Sequence, residues 1–233
     1  MLDEREGLLA VYKPAPLCTE PTAQPGDSVV SLLSAARGSA VHAASRLDVG
    51  VSGVLLCTVG RPAARRVDAL RRAGKIRRRY VALAAGALPP QGSWTWPLGR
   101  SRNRAGRVKA SAEARTTQPA RTDFQTVAVA PGSFPVSLAI LTLHTGRLHQ
   151  IRAHAAMAGA PLLGDRRYGG PSSLCLDDGR VLGITRIALH SACLRVDPLL
   201  AVVAPVPRQL SDWWAELGGS PSAWPSAPSL LAW

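Results

Sequence analysis

The chain has 233 residues, 46% of them hydrophobic, enough for one large globular domain or two small ones. Its 28 lysines and arginines outnumber 15 acids, and a net charge of +13 points to a polyanionic partner, RNA or DNA first. No run approaches about 18 uninterrupted apolar residues, which argues against a helical membrane span, and the four scattered cysteines (Cys18, Cys57, Cys175, Cys193) form no C-x-x-C pair, which argues against a zinc ribbon or a dithiol redox site.

The opening "MLDEREGLLAVYKP" is acidic and then strand-like, unlike a signal peptide, so a cytosolic, reduced setting is expected. "GLLAVYKPAP" reads as a short buried strand stopped by Pro14 and Pro16. "DSVVSLLSAA" predicts a helix capped by Asp27. "SGVLLCTVG" predicts a second strand. "RPAARRVDALRRAG" predicts a helix with Pro62 in its first turn, Ala63, Val67 and Leu70 on one face, and Gly74 at its stop. "RRYVALAAG" returns as a strand, and "PLGRSRNRAGRVKAS" as a polar loop or hairpin. "ARTDFQTVAVA" and "VSLAILTLHTG" predict two strands joined by "PGSFP". "LHQIRAHAAMAG" predicts a helix burying Ile151, Ala155 and Ala158, and "RIALHSACLRV" a late strand. The Pro- and Ser-rich segment after Gly218 is expected to be irregular or disordered, unless its tryptophans dock back. This alternation predicts one α+β or mixed α/β domain over residues 1–217, followed by a tail over 218–233.

Two basic clusters stand out. Nine basic residues against one acid lie between Arg61 and Arg79, and five against none between Arg100 and Lys109. A solvated helix face and a loop would explain them, as would a coding bias toward arginine. On the rim of a cleft they would instead follow a nucleic-acid backbone. "SRLDVGVSG" places Asp48 just before a buried strand, with Gly50, Ser52 and Gly53 as a tight turn. Taken locally, Asp48 reads first as a turn aspartate and second as a carboxylate held at the mouth of a sheet.

The joint pattern weighs more than its parts. "RLD…SG", then Tyr80 in "RRRYVALAAG", then "TGRLHQIRAHAAMAGAPLLGDRRYGG", then "ALHSACLRVDP" resembles the RluA-type pseudouridine synthases over about residues 7–215. The resemblance implies an α+β pseudouridine synthase catalytic domain whose central, mostly antiparallel sheet is flanked by helices and loops. It implies conversion of uridine in ribosomal or transfer RNA to pseudouridine, with base flipping and without a cofactor or metal. Asp48 would be the catalytic carboxylate, and Arg152 the guanidinium that holds it ionised. Tyr80 would stack on the flipped uracil, and Arg46 would fill the vacated stack. Leu47 and Ile151 would wall the pocket. RNA contacts would come from Arg77, Arg78, Arg79, Arg100, Arg102, Arg104, Arg107, Lys109 and Arg147. His149, Gln150 and His154 would be scaffold, and Gly146, Gly164 and Asp165 turn or cap residues. A monomer is expected, with no S4-type RNA-binding domain ahead of the first strand. Whether the carboxylate attacks the sugar, attacks the base or assists a glycal route stays open.

The sequence departs from the family pattern at Ser45, where a histidine is usual, and at Val51 and Leu148, where threonines are usual. These neighbour the catalytic groups and bear on substrate choice. Three rivals are weighed. A catalytically silent RNA-binding or ribosome-assembly protein would be indifferent to Asp48→Asn. A DNA-binding module would want a recognition helix or zinc finger. A glycosidase would want two paired acids.

Overall fold

A computed structural model describes residues 1–22, 27–102 and 108–233 of the chain, without the side chains of residues 102, 108 and 109. The elements in chain order are β1 (Asp3–Arg5), β2 (Leu8–Lys13), α1 (Val29–Arg37), β3 (Val41–Ala43), β4 (Ser52–Val59), α2 (Gly60–Arg72), β5 (Ile76–Ala85), β6 (Gln91–Trp94), β7 (Gly99–Arg102), β8 (Val108–Ser111), β9 (Thr122–Ala130), β10 (Val136–Leu143), α3 (Gln150–Met157), β11 (Ser173–Cys175), β12 (Val181–Gly183), β13 (Leu189–Val196), β14 (Leu200–Val203), α4 (Arg208–Glu216) and α5 (Ala227–Leu231). The mixed α+β class expected from the sequence is what forms. The chain divides into two compact units: residues 1–79, 190–206 and 226–233, and residues 80–189 and 207–225.

In the first unit the strand order is β1-β2-β4-β13, with β3 also on β4 and β14 on β13. β4 is the middle strand and is buried along nearly all its length because β2 flanks one edge while β3 and β13 share the other. Every pairing is antiparallel except β13 on β4. At that parallel crossing Gly53 is required. Its φ is 119°, and a Cβ there would lie 2.2 Å from the Ser191 carbonyl oxygen. Gly53 is thus a strand residue over which another backbone passes, and the tight turn expected there lies just upstream.

α2 lays Ala63 and Val67 on Leu8, Ala10, Val54 and Leu56, with Leu70 at the edge, as its periodicity predicts. α1 is capped by Ser28, whose Oγ accepts the Ser31 N–H at 3.0 Å, and the expected Asp27 cap is displaced by one residue. Burial pushes the Cys57 thiol up to about 12 and the Cys193 thiol up to about 11, so both behave as small apolar side chains.

The segment expected to be irregular is ordered. Pro221–Ala223 form a 3-10 turn and Ala227–Leu231 a helix capped by Ser226. Leu230 is buried, and the Trp233 ring lies 4.4 Å from the Arg79 guanidinium carbon. Residues 226–233 dock through the buried Leu230, the Trp233 ring on Arg79, and hydrogen bonds from Arg79 to the Ser229 and Leu230 carbonyls, none of which composition shows. Leu230→Ala is expected to destabilise the protein by about 2–4 kcal/mol, read as a lower urea midpoint with an unchanged slope.

In the second unit the order is β5-β10-β9-β6, with β7–β8 and β11–β12 as separate hairpins. The basic loop or hairpin is a hairpin, pairing Arg100 with Ala110 and Ser101 with Lys109. α3 is buried from Gln150 through Ala155, and Ala158, expected inside, is exposed. Its first turn and a half is enclosed on all sides, which a one-face reading could not show.

Candidate active site

Asp48 sits on the loop between β3 and β4, and that loop is held mainly through its backbone. The buried Thr19 hydroxyl donates to the Leu47 carbonyl at 2.8 Å and accepts the Leu47 N–H at 3.1 Å. The Val51 N–H closes a turn onto the Asp48 carbonyl at 3.0 Å. Lys13 is fully buried at the end of β2, and its ammonium donates to the carbonyls of Leu17 (2.7 Å), Pro14 (3.1 Å) and Val49 (3.3 Å). A buried ammonium is costly unless so surrounded, so these carbonyls and Lys13 fix one another. Four residues beyond Asp48, Ser52 Oγ meets His190 Nδ1 at 2.9 Å.

Around this turn Leu47 points inward and is buried, Asp48 is half-buried, and Arg46 is exposed, 3.3 Å from Glu20. Such a frame fixes a carboxylate's position without using the carboxylate itself. Lys13 and Thr19 were missed as supports. The signal for Lys13 was a charged residue ending an apolar strand just before a proline.

In the second unit Arg152 is almost wholly buried. Its Nε and Nη2 donate in a fork to Asp165 at 2.6 and 2.8 Å. Asp165, read from sequence as a turn or cap residue, begins the 3-10 turn Arg166–Tyr168 but makes no side-chain cap, and its carboxylate holds Arg152 instead. The Tyr168 ring lies 5.1 Å from the Arg152 guanidinium carbon. Tyr80 and Ile151 are both buried.

The histidines of "HTGRLHQIRAH" are scaffold in this structure. His154 donates from Nε2 to the Trp96 carbonyl at 2.9 Å and meets Thr122 Oγ1 at 3.1 Å, and burial holds its pKa below the usual value. His149 enters α3 with φ of 48°, a conformation a non-glycine residue rarely takes, and its Nδ1 meets the Tyr168 hydroxyl at 3.0 Å. Gln150 spends both ends: its oxygen accepts from Thr145 and Arg147, and its nitrogen donates to Arg121 and Thr122.

His144 Nε2 meets Asp123 at 2.7 Å. Partial burial raises the Asp123 carboxyl, but hydrogen bonds from Arg121, Ser93 and His144 outweigh it and bring it down to about 2. A depressed carboxyl stabilises the fold above its unfolded pKa of 3.8 and loses that contribution as pH falls toward about 2. Asp123→Asn is therefore expected to lower the urea midpoint at pH 6, with the gap to wild type closing by about pH 2.

The basic residues divide by what they touch. Arg77 donates to Asp197 at 3.1 Å, and Arg79 donates to the carbonyls of Ser229 (2.9 Å) and Leu230 (3.2 Å), so both have partners inside the first unit. Burial lowers the pKa of Arg79. Arg78, half-buried, alternates to the opposite face of β5. Arg147 donates to the Pro119 carbonyl at 3.0 Å. Arg100 is exposed on β7. Arg104 and Arg107 lie outside the described residues, as do the side chains of Arg102 and Lys109. Among the described residues no cluster of His, Cys, Asp and Glu could hold a metal ion. A cavity of about 290 Å³ in the second unit, lined by Phe134, Leu174, Leu176, Asp177, Asp178 and Glu216, holds none of the predicted residues.

The profile of a family described as RNA pseudouridylate synthase matches residues 7–157, a span that includes Asp48, Tyr80 and Arg152. The chain is 31% identical over 224 residues to the uncharacterized RNA pseudouridine synthase YhcT of Bacillus subtilis, covering 91% of this chain and 70% of that protein. It is 29% identical over 228 residues to the ribosomal large subunit pseudouridine synthase D of Haemophilus influenzae, covering 92% of this chain and 66% of that protein. The solved structure of human RNA pseudouridylate synthase domain containing 4 shares the fold, with a TM-score of 0.72 at 22% identity over 93% of this chain and 92% of that one. The chain belongs to the RNA pseudouridylate synthase family, which bears out the resemblance read from its motifs.

Proposed function

We propose that this protein isomerises uridine to pseudouridine in ribosomal or transfer RNA, with Asp48 as the catalytic carboxylate. The observation that carries the reading is the family match across residues 7–157, in which the matched aspartate stands on a turn braced by Thr19, Lys13 and Val51. Ribosomal RNA is the first substrate to test, because the Haemophilus influenzae relative is named for the large ribosomal subunit.

In this reading the target nucleotide flips out of its stack, which costs a few kcal/mol. Arg46, already exposed, takes the vacated place, and its planar guanidinium suits stacking. Tyr80 stacks on the uracil, and Leu47 and Ile151 supply apolar wall. Arg152, held in a fork by Asp165, is read as the guanidinium that serves the catalytic carboxylate. The N1–C1′ bond breaks, the base turns, and C5 bonds to C1′. Nothing is oxidised or reduced and no water is consumed, so the reaction requires no cofactor or metal, and a dry pocket protects the nucleotide from hydrolysis.

RNA contacts fall to Arg46, Arg78, Arg100, Arg102, Arg104, Arg107, Lys109 and Arg147, with Arg77 and Arg79 adding positive charge from positions partly engaged by the chain itself. The enzyme acts as a monomer in the cytoplasm. No helix among the described residues is long and apolar enough to cross a membrane. Residues 1–217 carry the catalytic function, and 218–233 support the fold.

The test is pseudouridine mapping by carbodiimide modification of total RNA from a deletion strain, rescued with wild type or Asp48→Asn. A site restored by wild type alone establishes the activity and names the RNA. No lost site in the deletion, despite expression in the parent, favours a silent RNA-binding protein.

A further inference from the structure

We propose that the outer face of α2 is an RNA-backbone surface, on which Arg61, Arg65 and Arg72 contact phosphates of the RNA that carries the target uridine. The choice of RNA as occupant rests on the isomerase reading above.

The arginines of α2 divide by position. Ala63 and Val67 are buried against the sheet, with Leu70 partly buried beside them. On the flanks of that face, Arg66 pairs with Glu6, while Arg71 pairs with Asp68 at 2.8 Å and donates to the Ala44 carbonyl. Arg61, Arg65 and Arg72 are spaced by four and seven residues, which puts them on one line opposite the buried face. All three are exposed, and among the described residues none of them has a carboxylate partner. Asp68 lies on the same line, but its carboxylate is engaged by Arg71.

This arrangement works against the helix that carries it. α2 begins without a side-chain cap and without an acid in its first turn, and Arg61 stands there at the positive end of the helix dipole. Arg61 and Arg65 are one turn apart, a spacing at which like charges repel. A face that only had to be solvated would be better served by an acid or a neutral polar residue at either place. An anionic strand laid along the line turns both penalties into attraction, and guanidinium forks suit phosphate oxygens. At 1.5 Å per residue the line is about 16 Å long, room for several phosphates. It also leads toward the catalytic turn. α2 folds back over Val54 and Leu56 of β4, and through Arg71 its last turn reaches Ala44, two residues before Arg46. RNA with its target nucleotide at Asp48 thus runs outward past Arg46 to Arg72, Arg65 and Arg61.

The experiment compares wild type with the triple variant Arg61→Gln/Arg65→Gln/Arg72→Gln. A control, Arg5→Gln/Arg180→Gln/Arg208→Gln, removes the same charge from arginines that already have acid partners elsewhere. Affinity for bulk bacterial transfer RNA and for fragmented ribosomal RNA is measured between roughly 50 and 200 mM salt. Turnover on the mapped RNA, the urea midpoint and binding to phosphatidylglycerol vesicles are measured alongside. The α2 variant is expected to bind RNA roughly tenfold more weakly or worse, with a log–log salt slope shallower by about 2–3, the share of three phosphate contacts. Its turnover at saturating RNA is expected to stay within about twofold of wild type, so that the loss falls on KM. Its urea midpoint should equal or exceed that of wild type. The control is expected to keep the wild-type slope to within about one.

An unchanged salt slope in the α2 variant overturns the surface. An equal loss in the control overturns it too, because net charge alone would then be the cause. A lower urea midpoint in the α2 variant does the same, because the arginines would then serve the fold. Vesicle binding that needs the three arginines, with RNA affinity indifferent to them, assigns α2 to a lipid surface and overturns RNA as its occupant. Wild-type protein that binds RNA with the expected dependence on the three arginines but modifies none overturns the isomerase reading and leaves the surface standing.

Discussion

Asp48→Asn is expected to abolish pseudouridine formation, by about 10⁴-fold or more, while leaving the fold intact. Asparagine has nearly the volume of aspartate but carries no charge and cannot serve as a nucleophile or base. The loop that presents it is held by other groups: Thr19 grips Leu47 through both backbone atoms, Lys13 grips the Val49 carbonyl, and the Val51 N–H closes the turn. These bonds are untouched by the substitution, so far-UV circular dichroism should match wild type. The variant should still bind RNA, since the basic residues remain. Turnover above background on the mapped RNA would remove Asp48 from the mechanism.

What the sequence made legible follows from how local each feature is. The strands β2, β4, β5, β9, β10 and β13 are dense apolar runs, and α2 has one clean apolar face ending at Gly74, so periodicity was enough for these. β1, β3 and the β11–β12 hairpin are three residues each and carry no pattern of their own. They exist because a neighbouring strand offers an edge.

The chemistry divides in the same way. The candidate Arg152 sits in a long, specific motif, whereas the candidate Asp48 sits in the short "RLD" and stands out only within the joint pattern. The groups that hold them were not visible, since support is a matter of tertiary distance. Lys13 lies 36 positions from the Val49 carbonyl it binds, and Asp165 lies 13 from Arg152. Arg77 and Arg79 were expected to contact RNA, and strand alternation and the docked tail give both of them partners within the protein.

The Arg152–Asp165 pair makes the strongest stability prediction. Both side chains are nearly inaccessible to water, so removing Asp165 takes a two-bond carboxylate partner from a buried guanidinium. Asp165→Ala is expected to destabilise the protein by about 3–5 kcal/mol and to lower turnover as well. Asp165→Asn keeps one acceptor oxygen for the fork and should lie between the two.

Loss of activity in Asp165→Ala alone would not separate a chemical role from simple unfolding, because the penalty is a large share of a typical folding free energy. The double variant Arg152→Met/Asp165→Leu makes the separation. It removes both charges together and fills their space with apolar groups, an exchange that often restores most of the stability a single deletion loses. If Arg152 acts on the reacting carboxylate, the double variant should melt nearer to wild type than Asp165→Ala does and yet form no pseudouridine. Recovery of turnover along with stability would show that the pair serves the fold alone, and Arg152 would then have no part in the chemistry.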